Sequence, residues 1–274
     1  MANRREKRGL IQQGRMGWRT LRFYGFLMKK DALANSTDYI RSGHLWHLYP
    51  NLKFPLYFSR PGCGAAYLEI SKNACSSVKV SMLKEDVPDD YSIHHTDARP
   101  DYYRRGLEDS DLFRFTFVRN PFDRLVSCYE SKYHVDKDVY KKDHLDFDDY
   151  LDGYLAEDRG FEDFIHRIVH IPPRLMDRHF APQSLYVYQK DGTPRVDFIG
   201  SYENMAEEYE PIREKYGFDP LPRYNVTNKP DWRDYYTLKT ARMVHRKFRR
   251  DFRFFDYEES YRDLIAYLKK KGSR

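Results

Sequence analysis

Cysteine is scarce in this chain: Cys63, Cys75 and Cys128 are its only three. An odd number with no metal-ligand spacing excludes a dense disulfide framework and a zinc finger, and it points to a reducing compartment. Long apolar runs are also missing. A membrane-spanning helix needs roughly 20 consecutive apolar residues, and LRFYGFLM at 21–28 is too short. The opening MANRREKRGL is basic, but no signal-peptide core follows it. There is no internal repeat and no linker rich in glycine, serine or proline, so a second domain is not required. The 274 residues therefore read as a basic, aromatic arm over 1–54, packing on the core, and one domain over 55–274. The Gly-x-x-x-x-Gly-Lys-Ser/Thr ending of a nucleoside triphosphatase loop is absent as well, which argues against ATP hydrolysis.

What is present is a modest surplus of positive charge. Lysine and arginine number 48 against 42 acids, a formal net charge of +6. Such a balance suits an anionic small molecule or polysaccharide, and it equally suits RNA or an acidic membrane. The sign of the charge does not choose among them.

Two segments carry more. In LFRFTFV at 112–118, Phe113, Phe115 and Phe117 alternate with other residues at a strand period; Phe122, Leu125, Val126, Tyr129 and Tyr133 then recur at a helix period. The switch falls at Asn120-Pro121. Proline suits a first helical position because its missing N–H would have no partner there, and Asn120 before it caps. Arg119 is thus placed between a strand's carboxyl end and a helix's amino end, where open α/β sheets bind ligands and free N–H groups meet phosphate. AAYLEIS at 65–71 followed by SSVKVSMLKED at 76–86 repeats the design. The joining residues Lys72, Asn73, Ala74 and Cys75, with Ser76 and Ser77, form a tight loop carrying a lysine and hydroxyls, as a phosphate-binding loop does.

These two segments resemble the 5′-phosphosulfate loop and the 3′-phosphate motif of sulfotransferases that use 3′-phosphoadenosine 5′-phosphosulfate (PAPS). The string VRNPFDRLVSCYESKY is most similar to the Golgi-type carbohydrate sulfotransferases (sulfotransferase family 2) and their bacterial relatives. HFAPQ at 179–183, DFIGSYENM at 197–205 and RKFRRDFRFFDY at 247–257 follow in the same order, so the resemblance runs from about residue 55 to about residue 260. Asn120 stands where many relatives have Asp or Glu, and SKNACSS replaces a loop that more often begins Pro-Lys.

The resemblance implies a three-layer, P-loop-like α/β sandwich with a mostly parallel central sheet flanked by helices. It implies transfer of a sulfuryl group from PAPS to a carbohydrate hydroxyl on a polysaccharide, glycolipid or lipo-oligosaccharide, with adenosine 3′,5′-bisphosphate as product and no metal required. The 5′-phosphosulfate falls to Lys72, Asn73, Ala74, Cys75, Ser76 and Ser77, and the 3′-phosphate to Arg119 and Ser127. Ser127 lies off the apolar stripe of its helix and is free to face a ligand. In NVTNKPDWRDYYT, Thr227 and Lys229 occupy a late loop that closes over the nucleotide; Trp232 there packs either on the ligand or within the protein. Lys72 serves the leaving oxygen. His94, His95 and His179 are the candidate bases, since imidazole titrates near neutrality. Lacking an anchor, the chain is expected to be a cytoplasmic bacterial enzyme, or the soluble catalytic part of an anchored one. A P-loop-like kinase using ATP and magnesium, and a basic RNA-binding protein, are the alternatives; the paired anion motifs disfavour both, and no nucleic-acid partner is expected.

Coarser expectations complete the reading. YSIHH at 91–95, LYVYQ at 185–189 and VDFIG at 196–200 alternate as strands, with KDGTP turning between the last two. Residues 204–216, 234–249 and 257–271 follow a helix period. The phenylalanines of HRKFRRDFRFFDY dock a helix into the core, leaving its charges in water.

Overall fold

The computed structural model describes residues 55–84, 102–105, 111–134, 154–173, 176–222 and 230–272. The arm over 1–54, the YSIHH segment, and the sites named at His94, His95, Thr227 and Lys229 lie outside these residues.

Five strands make one sheet: β1 Leu56–Phe58, β2 Ala65–Leu68, β3 Tyr103–Arg105, β4 Phe113–Val118 and β5 Phe198–Ser201, in the spatial order β3-β1-β2-β4-β5. β2 runs parallel to β4, and β4 to β5. β1 is antiparallel to both β2 and β3, so it alone opposes the rest and the sheet is mostly parallel. The helices are α1 Cys75–Leu83, α2 Pro121–Tyr133, α3 Phe161–Ile168, α4 Ser184–Val187, α5 Met205–Tyr216, α6 Leu238–Lys247, α7 Arg249–Phe254 and α8 Glu258–Gly272.

Strand alternation sends side chains to two cores. Ala65 and Tyr67 of β2, with Phe115 and Phe117 of β4, pack on Val78, Met82 and Leu83 of α1 and on Tyr209 and Ile212 of α5. Ala66, Leu68 and Val118 face the opposite way, into a larger core built with Phe122 and Leu125 of α2, Phe164 and Ile165 of α3, and Val244, Phe252 and Leu264 of the carboxyl-terminal helices. Helices thus cover both faces, giving the three layers expected. Each fully buried phenylalanine contributes on the order of 1.5–3 kcal/mol by leaving water.

LYVYQ does not form a strand. Ser184–Val187 is a helical turn, because the Asp251 carboxylate of α7 accepts from Gln183 N at 2.7 Å and Ser184 N at 2.9 Å and so caps it from a distant part of the chain. Only Tyr188 keeps an extended contact, a bridge to Pro194 across the KDGTP turn. β1 and β3 have no counterpart in the expectations; both are three residues long, too short for a period to show.

Candidate active site

Both ligand loops leave the carboxyl ends of neighbouring parallel strands, β2 and β4. In the first, Lys72 (φ 73°) and Ala74 (φ 56°) adopt the left-handed conformation without being glycine. Each such residue costs on the order of 1–3 kcal/mol and persists only where the surroundings enforce it. α1 has no side-chain cap, and the N–H groups of Cys75 and Ser77 find no acceptor among the described residues. The second loop is capped as expected: Asn120 Oδ1 accepts from Phe122 N at 3.0 Å, with Pro121 opening α2. The N–H of Asn120 itself donates to Glu203 Oε1 at 2.8 Å, and Tyr257 Oη donates to Glu203 Oε2 at 2.7 Å.

The surroundings that enforce the first loop are polar and buried. Asn73 Nδ2 donates to Phe117 O at 2.8 Å and to Gln183 Oε1 at 2.7 Å. Gln183 Oε1 also accepts from Arg119 N at 2.9 Å, while Gln183 Nε2 donates to Arg119 O at 2.7 Å. Arg119 Nη1 reaches Lys72 O at 2.8 Å, its Nε reaches Asp123 Oδ2 at 2.8 Å, and its guanidinium stacks 4.0 Å from the Tyr202 ring centre. Arg124, only 2% exposed, donates to three carbonyls: Ser71 at 3.0 Å, Ala181 at 2.7 Å and Arg178 at 2.9 Å. One guanidinium therefore holds the residue before Lys72 and the residue before His179, tying the two segments together.

The electrostatics of that place suit proton and anion chemistry. Among the described residues the Lys72 ammonium has no carboxylate or hydrogen-bond partner. Burial, reinforced by Lys132 and Arg119, pushes its ammonium down to about 8. His179 Nδ1 lies 2.6 Å from Asp177 Oδ1, and both side chains are largely enclosed. Burial, then the charge of Lys132, hold this imidazole well below its usual range, against the pull of Asp177. It is neutral near pH 7, and because the carboxylate can only accept, Nδ1 carries the proton and Nε2 is an acceptor with no donor among the described residues. The charge of Lys132 lowers both groups. Burial pushes the thiols of Cys75 and Cys128 up, the latter to about 12, which removes them as nucleophiles.

Of the residues anticipated, Lys72, Asn73, Ala74, Cys75, Ser76, Ser77, Arg119, Ser127 and His179 are described. The Ser77 and Ser127 hydroxyls have no hydrogen-bond partner among the described residues. Ser127 is buried, 6% exposed. Trp232 is a packing residue, stacked on Phe122 with centroids 5.8 Å apart and planes 2° apart. Sequence reasoning missed Arg124, Gln183, Asp177 and Glu203. Arg124, Gln183 and Glu203 lay inside the quoted VRNPFDRLVSCYESKY, HFAPQ and DFIGSYENM strings and Asp177 two residues before His179, which were the available signals. No group of three or more His, Cys, Asp or Glu side chains among the described residues is placed to hold a metal ion. No helix among them is long and apolar enough to cross a membrane.

Comparison with known proteins adds the following. A family model described as "Sulfotransferase family" matches residues 57–258. Carbohydrate sulfotransferase 14 of Danio rerio is 25% identical over 185 residues, covering 65% of this chain and 47% of its own length. Carbohydrate sulfotransferase 14 of Homo sapiens is 26% identical over 179 residues, covering 58% and 46% respectively. Carbohydrate sulfotransferase 10 of Xenopus laevis is 26% identical over 183 residues, covering 55% and 48%. The chain spans about half the length of the curated relatives it matches. No solved structure matches it.

Proposed function

Because the chain belongs to the sulfotransferase family, whose model covers residues 57–258, we propose that it transfers a sulfuryl group from PAPS to a hydroxyl of a carbohydrate acceptor. The carbohydrate part rests on the names of its relatives. The donor part rests on how well the residues present fit a nucleotide with two anionic ends. A helix start without a side-chain cap, and an ammonium and a Ser77 hydroxyl without partners among the described residues, suit a phosphosulfate. Lys72, Ser76, Ser77 and the loop N–H groups from Asn73 to Cys75 would hold that end, and Arg119 with Ser127 the 3′-phosphate; Thr227 and Lys229 would close over the nucleotide. When bound, PAPS supplies the sulfuryl group, and adenosine 3′,5′-bisphosphate is what remains.

The chain's own contribution is positioning, charge and one proton transfer. Lys72 opposes negative charge developing on the bridging oxygen, as a lysine does in phosphoryl transfer. His179 Nε2 accepts the proton of the acceptor hydroxyl, and Asp177 fixes the ring and steadies the imidazolium that results. Of the three candidate histidines His179 is the one among the described residues, and its contact with Asp177 supports it.

The observation that supports this reading is the shared hold of Arg124 on Ser71 and Arg178, which ties the Lys72 loop to the segment bearing His179. Calorimetric titration with adenosine 3′,5′-bisphosphate, 5′-AMP and ATP with magnesium tests it. Preference for the bisphosphate supports the two-ended site and warrants a sulfate-transfer screen on carbohydrates. Preference for ATP, or no nucleotide binding, overturns the donor assignment.

A further inference from the structure

The helices α6 and α7 form almost one rod: Phe248 N donates to Val244 O at 2.9 Å and Phe252 N to Phe248 O at 3.2 Å across the join. Ala241, Val244, Phe248 and Phe252 face the core. Lys239, Arg242, Arg246, Arg249, Arg250 and Arg253, three or four residues apart except for the adjacent Arg249 and Arg250, are all exposed. At about 1.5 Å per residue they form a ridge roughly 21 Å long. Among the described residues none of the six has an ion-pair partner. Elsewhere Arg114, Arg159, Arg167, Arg213 and Arg233 are each set against a carboxylate. Like charges at this spacing repel and weaken the helix, so the ridge carries a cost.

The ridge has an apolar flank. The exposed large apolar side chains among the described residues are Leu185, 41% exposed, and Phe254, 43% exposed. They lie on α4 and α7, which are tied together by Asp251 and by the contact of Tyr188 with Phe254 at 4.9 Å. Arg250 leans over the Phe254 ring, 5.2 Å from its centre, linking flank and ridge.

We propose that this face docks the protein on a membrane surface rich in anionic lipid, the cations meeting headgroups while Leu185 and Phe254 enter the interface. A row of several Lys and Arg on an amphipathic helix, with Leu and Phe beside it, has the composition of a lipid-surface contact. Nucleic acid is disfavoured because Phe248 and Phe252, which could have stacked on bases, are spent in the core. An acidic polysaccharide would use the cations but gains nothing from Leu185. The inference stands apart from sulfuryl transfer, since no residue of the ridge belongs to the loops of the active site.

The test is vesicle flotation with the whole chain, comparing phosphatidylcholine alone with phosphatidylcholine plus phosphatidylserine. The protein is expected to float only with the anionic vesicles and to be released by high salt. Each neutralised cation should weaken binding about fivefold, the equivalent of roughly 1 kcal/mol. Arg242→Gln, Arg246→Gln and Arg249→Gln together should therefore weaken it about a hundredfold, with an unchanged thermal melt showing that the fold survives. Phe254→Ser should weaken it without altering its salt dependence. Binding that ignores phosphatidylserine, or that the triple substitution leaves intact, overturns the proposal. So does retention of dextran sulfate through the ridge with no vesicle binding, which would make the face a polysaccharide contact.

Discussion

Arg119 donates from Nη1 to the carbonyl oxygen of Lys72 at 2.8 Å, so the cation that ends β4 closes on the backbone of the cation that follows β2. The two ligand loops are one mechanical unit. Arg119 helps to hold Lys72 in its left-handed conformation (φ 73°) while adding its own charge to the same corner.

Arg119→Ala should therefore weaken donor binding. It removes charge-assisted hydrogen bonds worth about 1.5–3 kcal/mol, so affinity for adenosine 3′,5′-bisphosphate should fall about 10- to 150-fold by calorimetry. Arg119→Lys should restore little, because a single ammonium cannot bond Lys72 O and Asp123 together as the planar fork does. Unchanged affinity in either folded variant would remove Arg119 from the donor site.

Lys72 makes donor binding depend on pH in a defined direction. Its ammonium is pushed down to about 8, so it is charged below that value and neutral above. Bisphosphate affinity should be level from about pH 6.5 to 7.5 and fall as pH rises through 8, by up to tenfold per unit if only the charged form binds. Folding stability responds with the opposite sign. The folded value lies below the unfolded value of about 10.4, so the folded state releases its proton first and Lys72's contribution to unfolding free energy rises between about pH 8 and 10.4. In Lys72→Arg the fall in affinity near pH 8 should vanish; its persistence would assign the titration to another group.

Asp177→Asn should separate orientation from binding. An asparagine amide can donate to Nδ1 of His179 and so favour the tautomer whose Nε2 carries the proton, leaving no base facing the acceptor. Turnover should drop by about 10²–10⁴-fold, with bisphosphate affinity unchanged. In the unsubstituted enzyme the acid limb of turnover should lie below pH 6.5, because burial holds the imidazole well under its usual range. An acid limb above 6.5, or a proportionate loss of donor affinity in the variant, would show that His179 is not the base.

The fold and the two loops were legible because their signals are local. Phe113, Phe115 and Phe117 alternate, Asn120-Pro121 starts a helix, and the structure places β4 and α2 at those boundaries. The supports of the site were not legible, since each acts across a long stretch of chain. Gln183 meets Asn73 and Arg119 across 110 and 64 positions, and Asp251 caps α4 across 67 positions, converting residues with strand-like alternation into a helix. The left-handed Lys72 and Ala74 gave no warning because glycine, the usual marker of that conformation, is absent there.

Gly200 illustrates a constraint of the same kind. In VDFIG it reads as an ordinary strand end, yet a Cβ at this position would lie 2.5 Å from Phe117 and 2.6 Å from the Glu208 carboxylate. That carboxylate is fixed by the N–H of Ser201 at 2.7 Å, so it cannot withdraw freely. Gly200→Ala should cost about 1–3 kcal/mol by overpacking, visible as a melting temperature lowered by several degrees, with bisphosphate affinity retained at low temperature. A variant as stable as the parent would show that β5 and α5 can separate at no cost.

Gln183 offers the sharpest test of whether the loops are held from behind. It accepts from Asn73 Nδ2 and Arg119 N and donates to Arg119 O, all in a buried setting. Asn73 Oδ1 already lacks a partner there. Gln183→Ala strands buried groups on both loops at about 1–3 kcal/mol each, so the urea midpoint should fall by the equivalent of roughly 2–5 kcal/mol with the slope unchanged. Gln183→Glu keeps the acceptors, loses the donor and places a negative charge behind the loop. It should therefore weaken bisphosphate binding more than Gln183→Ala does in the fraction that remains folded. Equal donor affinity in the two variants would mean that Gln183 serves stability alone and that the loops keep their geometry without it.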